Sequence, residues 1–111
     1  KPKREFLYVD DMARASHYIM NIDKKLYSSY CSSRCSHLNV GSGKDITIKE
    51  LAKIIKKIVQ YDGEIIFDSS KPDGNPRKFL NSDLVNNMGF KPKITLNDGL
   101  KKTYEYFIKI N

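Results

Sequence analysis

Between positions 71 and 78 the chain reads Lys71-Pro72-Asp73-Gly74-Asn75-Pro76-Arg77-Lys78, which sets three cations and one carboxylate among two prolines and a glycine. Ammonium and guanidinium groups pair with phosphate oxygens, and a guanidinium can do so with a two-pronged fork. The carboxylate among them can accept from a hydroxyl or a base N–H. Prolines and a glycine shape a loop, and this one follows the apolar run Ile65-Ile66-Phe67, which has strand character. Loops at strand ends are where α/β proteins place ligands. The same composition would also suit a solvated turn with its charges in water, and the segment alone does not choose between the two.

The elements that must position this loop can be read from periodicity and capping. Residues 5–9 (Glu-Phe-Leu-Tyr-Val) make a short apolar strand, and Asp10 or Asp11 then caps a helix running to about Asn21. Met12, Ala15, Ser16, Ile19 and Met20 fall on one face of that helix. Residues 23–36 have no period and many serines, so a flexible loop is expected there. Residues 37–40 read as a second brief strand, closed by Gly41-Ser42-Gly43. Thr47 and Glu50 have capping-box spacing. They open a helix with Ile48, Leu51, Ala52, Ile55, Ile58 and Val59 inside, and Lys49, Lys53, Lys56 and Lys57 outside. Residues 64–68 form a third strand. Beyond the basic loop, Ser82 caps a short helix carrying Leu84, Val85 and Met88, with Gly89 just past its end. Thr95 and Asp98 start the last helix, whose stripe is Leu96, Leu100, Tyr104, Phe107 and Ile108. Strands alternating with helices predict an α/β unit with short parallel strands and four helices. Three strands this short make a poor independent sheet, so a missing partner is expected.

Length and charge bound the rest. The 111 residues allow one domain, and 40% hydrophobic content allows a modest core. Twenty basic against thirteen acidic residues leave a net charge of +7, which suits an anionic partner of any kind. No run is long enough for a membrane span and no signal-peptide pattern opens the chain, so cytoplasm is expected. The start at Lys1-Pro2-Lys3, without methionine, reads as a piece of something longer.

Other chemistries fit poorly. The glycines at 41, 43, 63, 74, 89 and 99 make no dinucleotide-binding run, and Gly41-Ser42-Gly43-Lys44-Asp45 has Asp where a P-loop needs Ser or Thr. None of the seven tyrosines has lysine four residues on. Cys31, Cys35 and His37 could offer three metal ligands, but no fourth is evident, and solvated loop thiols are the simpler reading. His17 reads as a surface residue. The four lysines on one helical face are equally what a soluble amphipathic helix carries. They leave a basic nucleic-acid-binding module, or a non-catalytic assembly module, as alternatives without a stacking platform or recognition helix to favour them.

Four stretches carry a resemblance. Arg4-Glu5-Phe6-Leu7-Tyr8-Val9-Asp10-Asp11-Met12-Ala13, Asn39-Val40-Gly41-Ser42-Gly43, Thr47-Ile48-Lys49-Glu50-Leu51 and the run from Phe67 through Lys78 resemble the C-terminal part of the GDP-L-fucose synthases. These are epimerase/reductases of the extended short-chain dehydrogenase/reductase group. The resemblance covers essentially the whole chain, and only the 23–36 loop departs from it. It implies a small substrate-binding portion of a Rossmann-type enzyme, with the N-terminal NADP(H)-binding domain and all catalytic residues lying upstream. The reaction implied is epimerisation of GDP-4-keto-6-deoxy-D-mannose at C3 and C5, followed by reduction with NADPH to GDP-L-fucose. A homodimer is also implied.

By the same resemblance Arg4 is a substrate-binding arginine, suited to a diphosphate, and Asp73 is a substrate-contacting acid. Lys71, Arg77 and Lys78 stand in the same loop as further candidates for phosphate binding or loop anchoring. Glu5 and Asp10 are expected to orient backbone and helix cap. No metal site and no bound cofactor are expected in this chain. In the group, the strand ending in Asn-x-Gly-x-Gly often joins the Rossmann sheet. Alone, the chain should therefore expose apolar surface, tend to dimerise, bind nucleotide weakly and turn nothing over.

Overall fold

Sheet and helices form here around one short central strand. The computed structural model describes residues 2–111; Lys1, where the expected piece begins, lies outside them. Strand β1 (Lys3–Glu5) lies between β2 (Asp45–Thr47) and β3 (Arg77–Lys78), in the order β2-β1-β3. The β1–β3 pairing is parallel, with Arg4 opposite Lys78, while β1–β2 is antiparallel, with Arg4 opposite Ile46. The α/β architecture is therefore as expected, with a mixed sheet.

Among the described residues there are five helices where four were predicted: α1 (Val9–Asn21), α2 (Lys24–Tyr30), α3 (Ile48–Val59), α4 (Asp83–Asn87) and α5 (Leu96–Ile110). The additional one, α2, occupies the expected flexible loop. Asp23 caps it by accepting from the N–H groups of Lys25 and Leu26, a start signal that the serines obscured. The Thr47–Glu50 capping box forms in both directions, and Thr95 accepts from the Asp98 N–H. Gly89 follows the end of α4 at φ +107°, a backbone that only glycine adopts easily.

Three local readings need correction. The first strand ends at Glu5, and α1 begins at Val9 with Tyr8 as a cap that makes no side-chain bond. Asp11 instead sits in the first turn of the helix and accepts from Arg14 and from the backbone of Lys93 and Ile94. Neither 37–40 nor 64–68 forms a strand among the described residues. Both are apolar enough to pair, but a strand exists only through its neighbour, and neither has a ladder partner among the described residues. The third strand is Arg77–Lys78, within the basic loop, because β1 offers its edge there.

The core is small. Ala15, Val85, Met88 and Phe90 are buried, and Tyr18, Ile19 and Val40 pack against the cluster of Ala15, Val85 and Phe90. Of the α1 stripe, Ala15 and Ile19 reach this core, while Met12, Ser16 and Met20 stay exposed, Met20 at 85%. Ile66 is 81% exposed, and Phe67, Phe79, Leu80, Phe107 and Ile108 are about half exposed. The accessible surface is 8793 Å². A compact monomer of 12.8 kDa would have roughly 6300 Å². The radius of gyration is 17.4 Å, where about 13 Å is usual for this length. The molecule is an open slab, 54 × 35 × 20 Å, with apolar residues on faces that its own core does not cover.

Candidate functional site

Strand β1 holds the site together, and each of its residues takes part. Lys3 donates its backbone N–H to the Pro76 carbonyl at 2.8 Å. Arg4 donates from Nη1 to the carbonyls of Lys3 at 2.7 Å and Asn75 at 2.9 Å. Its Nη2 lies 3.5 Å from the place a side chain on Gly74 would occupy. Glu5 accepts through Oε2 from the Leu80 N–H at 3.0 Å, and through Oε1 from the Gly43 N–H at 2.7 Å. The alternation of lysine, arginine and glutamate along three residues thus gathers residues 75–80 onto one strand.

The structure brings Arg4 and the basic loop together although they are about seventy positions apart in sequence. Asp73 is the residue before Gly74, against which the Arg4 guanidinium lies, and it too has an interaction partner. Lys78 pairs with Arg4 in the sheet register and is exposed. Lys71 is exposed at the loop entry, where Asp68 accepts from the Ser70 N–H and hydroxyl and so fixes the turn. Those Ser70 hydrogen bonds hold the Asp68 carboxyl below its ordinary range.

Arg77 is engaged elsewhere. Its Nε donates to Asp45 Oδ2, and its guanidinium carbon lies 4.4 Å above the Phe79 ring. Lys3 Nζ stands 4.0 Å from the other oxygen of Asp45. The Arg77 hydrogen bond, with help from both positive charges, holds Asp45 below its usual pKa. Arg77 thus ties β3 to Asp45 of β2, while Arg4 and Lys78 stand opposite each other in the β1–β3 pair. Asp45 and Glu5 were not legible as partners of this loop in the sequence. The signal available for Glu5 was its place beside Arg4, and for Asp45 there was none.

Another carboxylate ties α1 to the segment before α5. Asp11 is fully buried and accepts from the N–H groups of Lys93 at 3.0 Å and Ile94 at 2.8 Å, and from Arg14 Nη1 at 2.6 Å. Burial pushes its pKa up, but the two backbone N–H groups and the Arg14 guanidinium outweigh burial and hold it below the ordinary value. Arg14 in turn lies 5.4 Å from the centre of the Phe90 ring. Asp10 is exposed on the first turn of α1.

Neither a dinucleotide cofactor nor a metal has an evident seat among these residues. The Gly41–Gly43 turn, the one part with the look of a phosphate loop, already has the Glu5 carboxylate on its Gly43 N–H. A side chain on Gly41 would come within 2.5 Å of Glu5 Oε1, so that space is filled. Among the described residues no group of three or more His, Cys, Asp or Glu is placed to hold a metal ion. Cys35 Sγ lies 3.8 Å from His37 Nδ1, and the Tyr27 hydroxyl donates to the Ser36 carbonyl, while Cys31 and Cys35 are free thiols. No helix of the described residues is long and apolar enough to cross a membrane. A groove of about 720 Å³, whose apolar lining is Phe6, Ile46, Ile54, Pro92, Ile94 and Leu96, contains none of the candidate residues.

The small α/β unit with its strand-held basic loop matches the C-terminal part of sugar-nucleotide reductases and epimerases of the short-chain dehydrogenase/reductase group. Among solved structures, a GDP-6-OMe-4-keto-L-xylo-heptose reductase from Campylobacter jejuni superposes with a TM-score of 0.87 at 38% identity. That match covers 100% of this chain and 32% of the reductase. A GDP-mannoheptose C4 reductase from the same organism, with NADP bound, gives 0.80 at 38% identity over 97% of this chain and 32% of its own. Among curated proteins, the GDP-L-fucose synthase of Escherichia coli K12 is 45% identical over 108 residues, which are 97% of this chain and 34% of that enzyme. No family model matches the chain. The chain is thus homologous to the C-terminal third of GDP-L-fucose synthases, and it spans about one third of the length of the curated relatives it matches.

Proposed function

We propose that this chain is the GDP-sugar-gripping portion of an NADPH-dependent epimerase/reductase that converts GDP-4-keto-6-deoxy-D-mannose to GDP-L-fucose. The observation that carries this reading is the Arg4 guanidinium, held by the Asn75 carbonyl at the edge of the Asp73–Gly74 turn. Arg4 offers charge-assisted hydrogen bonds to the diphosphate, Lys78 and Lys71 add positive charge, and Asp73 accepts from the nucleoside or sugar. Arg77 keeps the loop in place through Asp45.

The chemistry of epimerisation and hydride transfer belongs to an N-terminal Rossmann domain, which holds NADP(H) and covers the apolar faces left open here. NADP in the Campylobacter reductase and the filled Gly41–Gly43 turn both support a cofactor site outside this chain. In this reading residues 1–111 are one substrate-binding portion, inactive alone, of a cytoplasmic homodimer.

A second reading concerns the sugar. The two Campylobacter neighbours are named for GDP-heptoses, so a 4-keto heptose is the competing substrate for the same diphosphate grip. The 45% identity to a GDP-L-fucose synthase favours the deoxymannose sugar.

Titration of the chain with GDP and with single-stranded DNA, each at two salt concentrations, tests the grip. GDP should shift amides around Arg4 and residues 71–78 in an NMR spectrum. DNA binding that weakens steeply with salt, with no GDP response, would instead make the chain a basic nucleic-acid module. Binding of neither would leave an assembly role. NADPH oxidation by this polypeptide with the keto sugar should be undetectable, and measurable turnover would refute the placement of the chemistry.

A further inference from the structure

Resting on the GDP-sugar reading above, we propose that Glu5 is a positioning residue that couples the Gly41–Gly43 turn to the basic loop and so sets the geometry of the diphosphate grip. One carboxylate carries both connections. Oε1 accepts from the Gly43 N–H at 2.7 Å and faces the Ser42 hydroxyl at 3.5 Å. Oε2 accepts from the Leu80 N–H at 3.0 Å. The two bonded segments lie 38 and 75 positions away from Glu5 in sequence, and this one carboxylate is hydrogen-bonded to both.

The loop needs such a pin. Every residue from 68 to 80 is exposed, so burial does not hold it. Its start is fixed locally by Asp68 and Ser70, and its centre by Asn75 and Pro76 on β1. Glu5 fixes its exit at Leu80, two residues beyond Lys78. Arg4 and Glu5 are adjacent in β1, where successive side chains point to opposite faces. Arg4 therefore holds the loop centre on one side of the strand while Glu5 holds its exit on the other. Moving the Glu5 carboxylate changes the register of residues 75–80 against Arg4, and with it the spacing of Arg4, Lys78 and the Asp73 turn.

Three variants of the chain separate this role from bulk stability. Glu5→Gln keeps one acceptor oxygen but presents an amide N–H₂ where the other stood, so it can serve Gly43 or Leu80 but not both. Its GDP affinity should fall about tenfold, the usual scale for one hydrogen bond to a charged group. The ligand-free amide signals of residues 75–80 should shift, with the thermal midpoint only slightly lowered. Glu5→Asp retains the charge on a shorter arm and should recover part of the affinity. Gly41→Ala pushes on the carboxylate from the opposite side, because its new methyl would meet Oε1 at 2.5 Å. It should shift the Leu80 and Asn75 amides from a distance, with no change of charge, and it serves as the test if Glu5→Gln fails to fold. Unmoved signals at residues 75–80 in the folded variants, or GDP affinity equal to wild type, overturn the proposal. If the wild type binds no GDP, the ligand-free spectra locate the error. Shifted loop amides place it in the ligand reading, and unshifted ones place it in the Glu5 linkage.

Discussion

Arg4 donates from Nη1 to the carbonyl oxygen of Asn75 across 2.9 Å, joining the first strand to a loop 71 positions away. The same nitrogen also reaches the Lys3 carbonyl, so the guanidinium is oriented before any ligand arrives. A pre-set cation loses less entropy on meeting a phosphate than a free one does.

Replacement of Arg4 by alanine should weaken GDP binding by tenfold or more and loosen the loop. Arg4→Lys should recover only part of the affinity, because an ammonium keeps the charge but not the planar fork that spans two acceptors. Calorimetric titration of both variants against GDP checks this. Equal affinities for Lys and Ala at this position would mean that charge plays no part.

Arg77 and Lys78 are neighbours with different commitments. Arg77 is occupied by Asp45 and stacked on Phe79, whereas the Lys78 side chain is exposed beside Arg4. Lys78→Ala should therefore reduce GDP affinity and its salt dependence directly. Arg77→Ala should act by disturbing the loop, so that its spectrum without ligand differs more from wild type. Binding isotherms at two ionic strengths, paired with ligand-free amide spectra, distinguish the two effects.

Asp11 predicts an acid-sensitive fold. Its carboxyl titrates below the ordinary value of 3.8 in the folded chain. Its stabilising contribution is complete above that value and disappears as pH falls through the lower folded value. Asp11→Ala at neutral pH should cost about 3 kcal/mol, since two backbone N–H groups and Arg14 lose their acceptor in a buried place. Urea unfolding between pH 7 and pH 3 should show the wild type weakening below pH 4. The same decline should be shallower in Asp11→Asn.

Two glycines with left-handed backbone should respond unequally to alanine. At Gly89, φ is +107° and a Cβ would lie 2.8 Å from the Tyr18 hydroxyl, which itself donates to the Met88 carbonyl. At Gly43, φ is +73° and nothing lies within 4 Å. Gly43→Ala should cost about 1 kcal/mol, and Gly89→Ala about 2 kcal/mol or more, because steric displacement adds to the backbone strain. Paired thermal denaturation measures the difference.

The surplus surface should be visible in solution. A chain with apolar faces open on this scale should bind a hydrophobic dye and sediment with a concentration-dependent mass. Supplying a covering body, such as the N-terminal part of a homologous enzyme, should suppress both. A monomer that ignores the dye at all concentrations would show that those faces are hidden in solution.

Elements whose signals are local were readable from the order of residues. The capping box at Thr47, the cap at Thr95, the glycine stop at Gly89 and the α/β order each depend on contacts within a few residues, so they survive without knowledge of the rest. The Arg4 and 71–78 motifs were likewise legible as residue types. Tertiary structure decided which of them meet. The 37–40 and 64–68 segments have the composition of strands yet form none, since a ladder requires a second backbone and neither has a ladder partner among the described residues. Asp11 looked like a helix cap and became a buried acceptor for Lys93 and Ile94, because a carboxylate goes to the N–H groups that most need it. Arg77, indistinguishable in sequence from the other loop cations, was claimed by Asp45. Charge pairing across 32 positions depends on where β1 places two separate strands, and no local pattern encodes that distance.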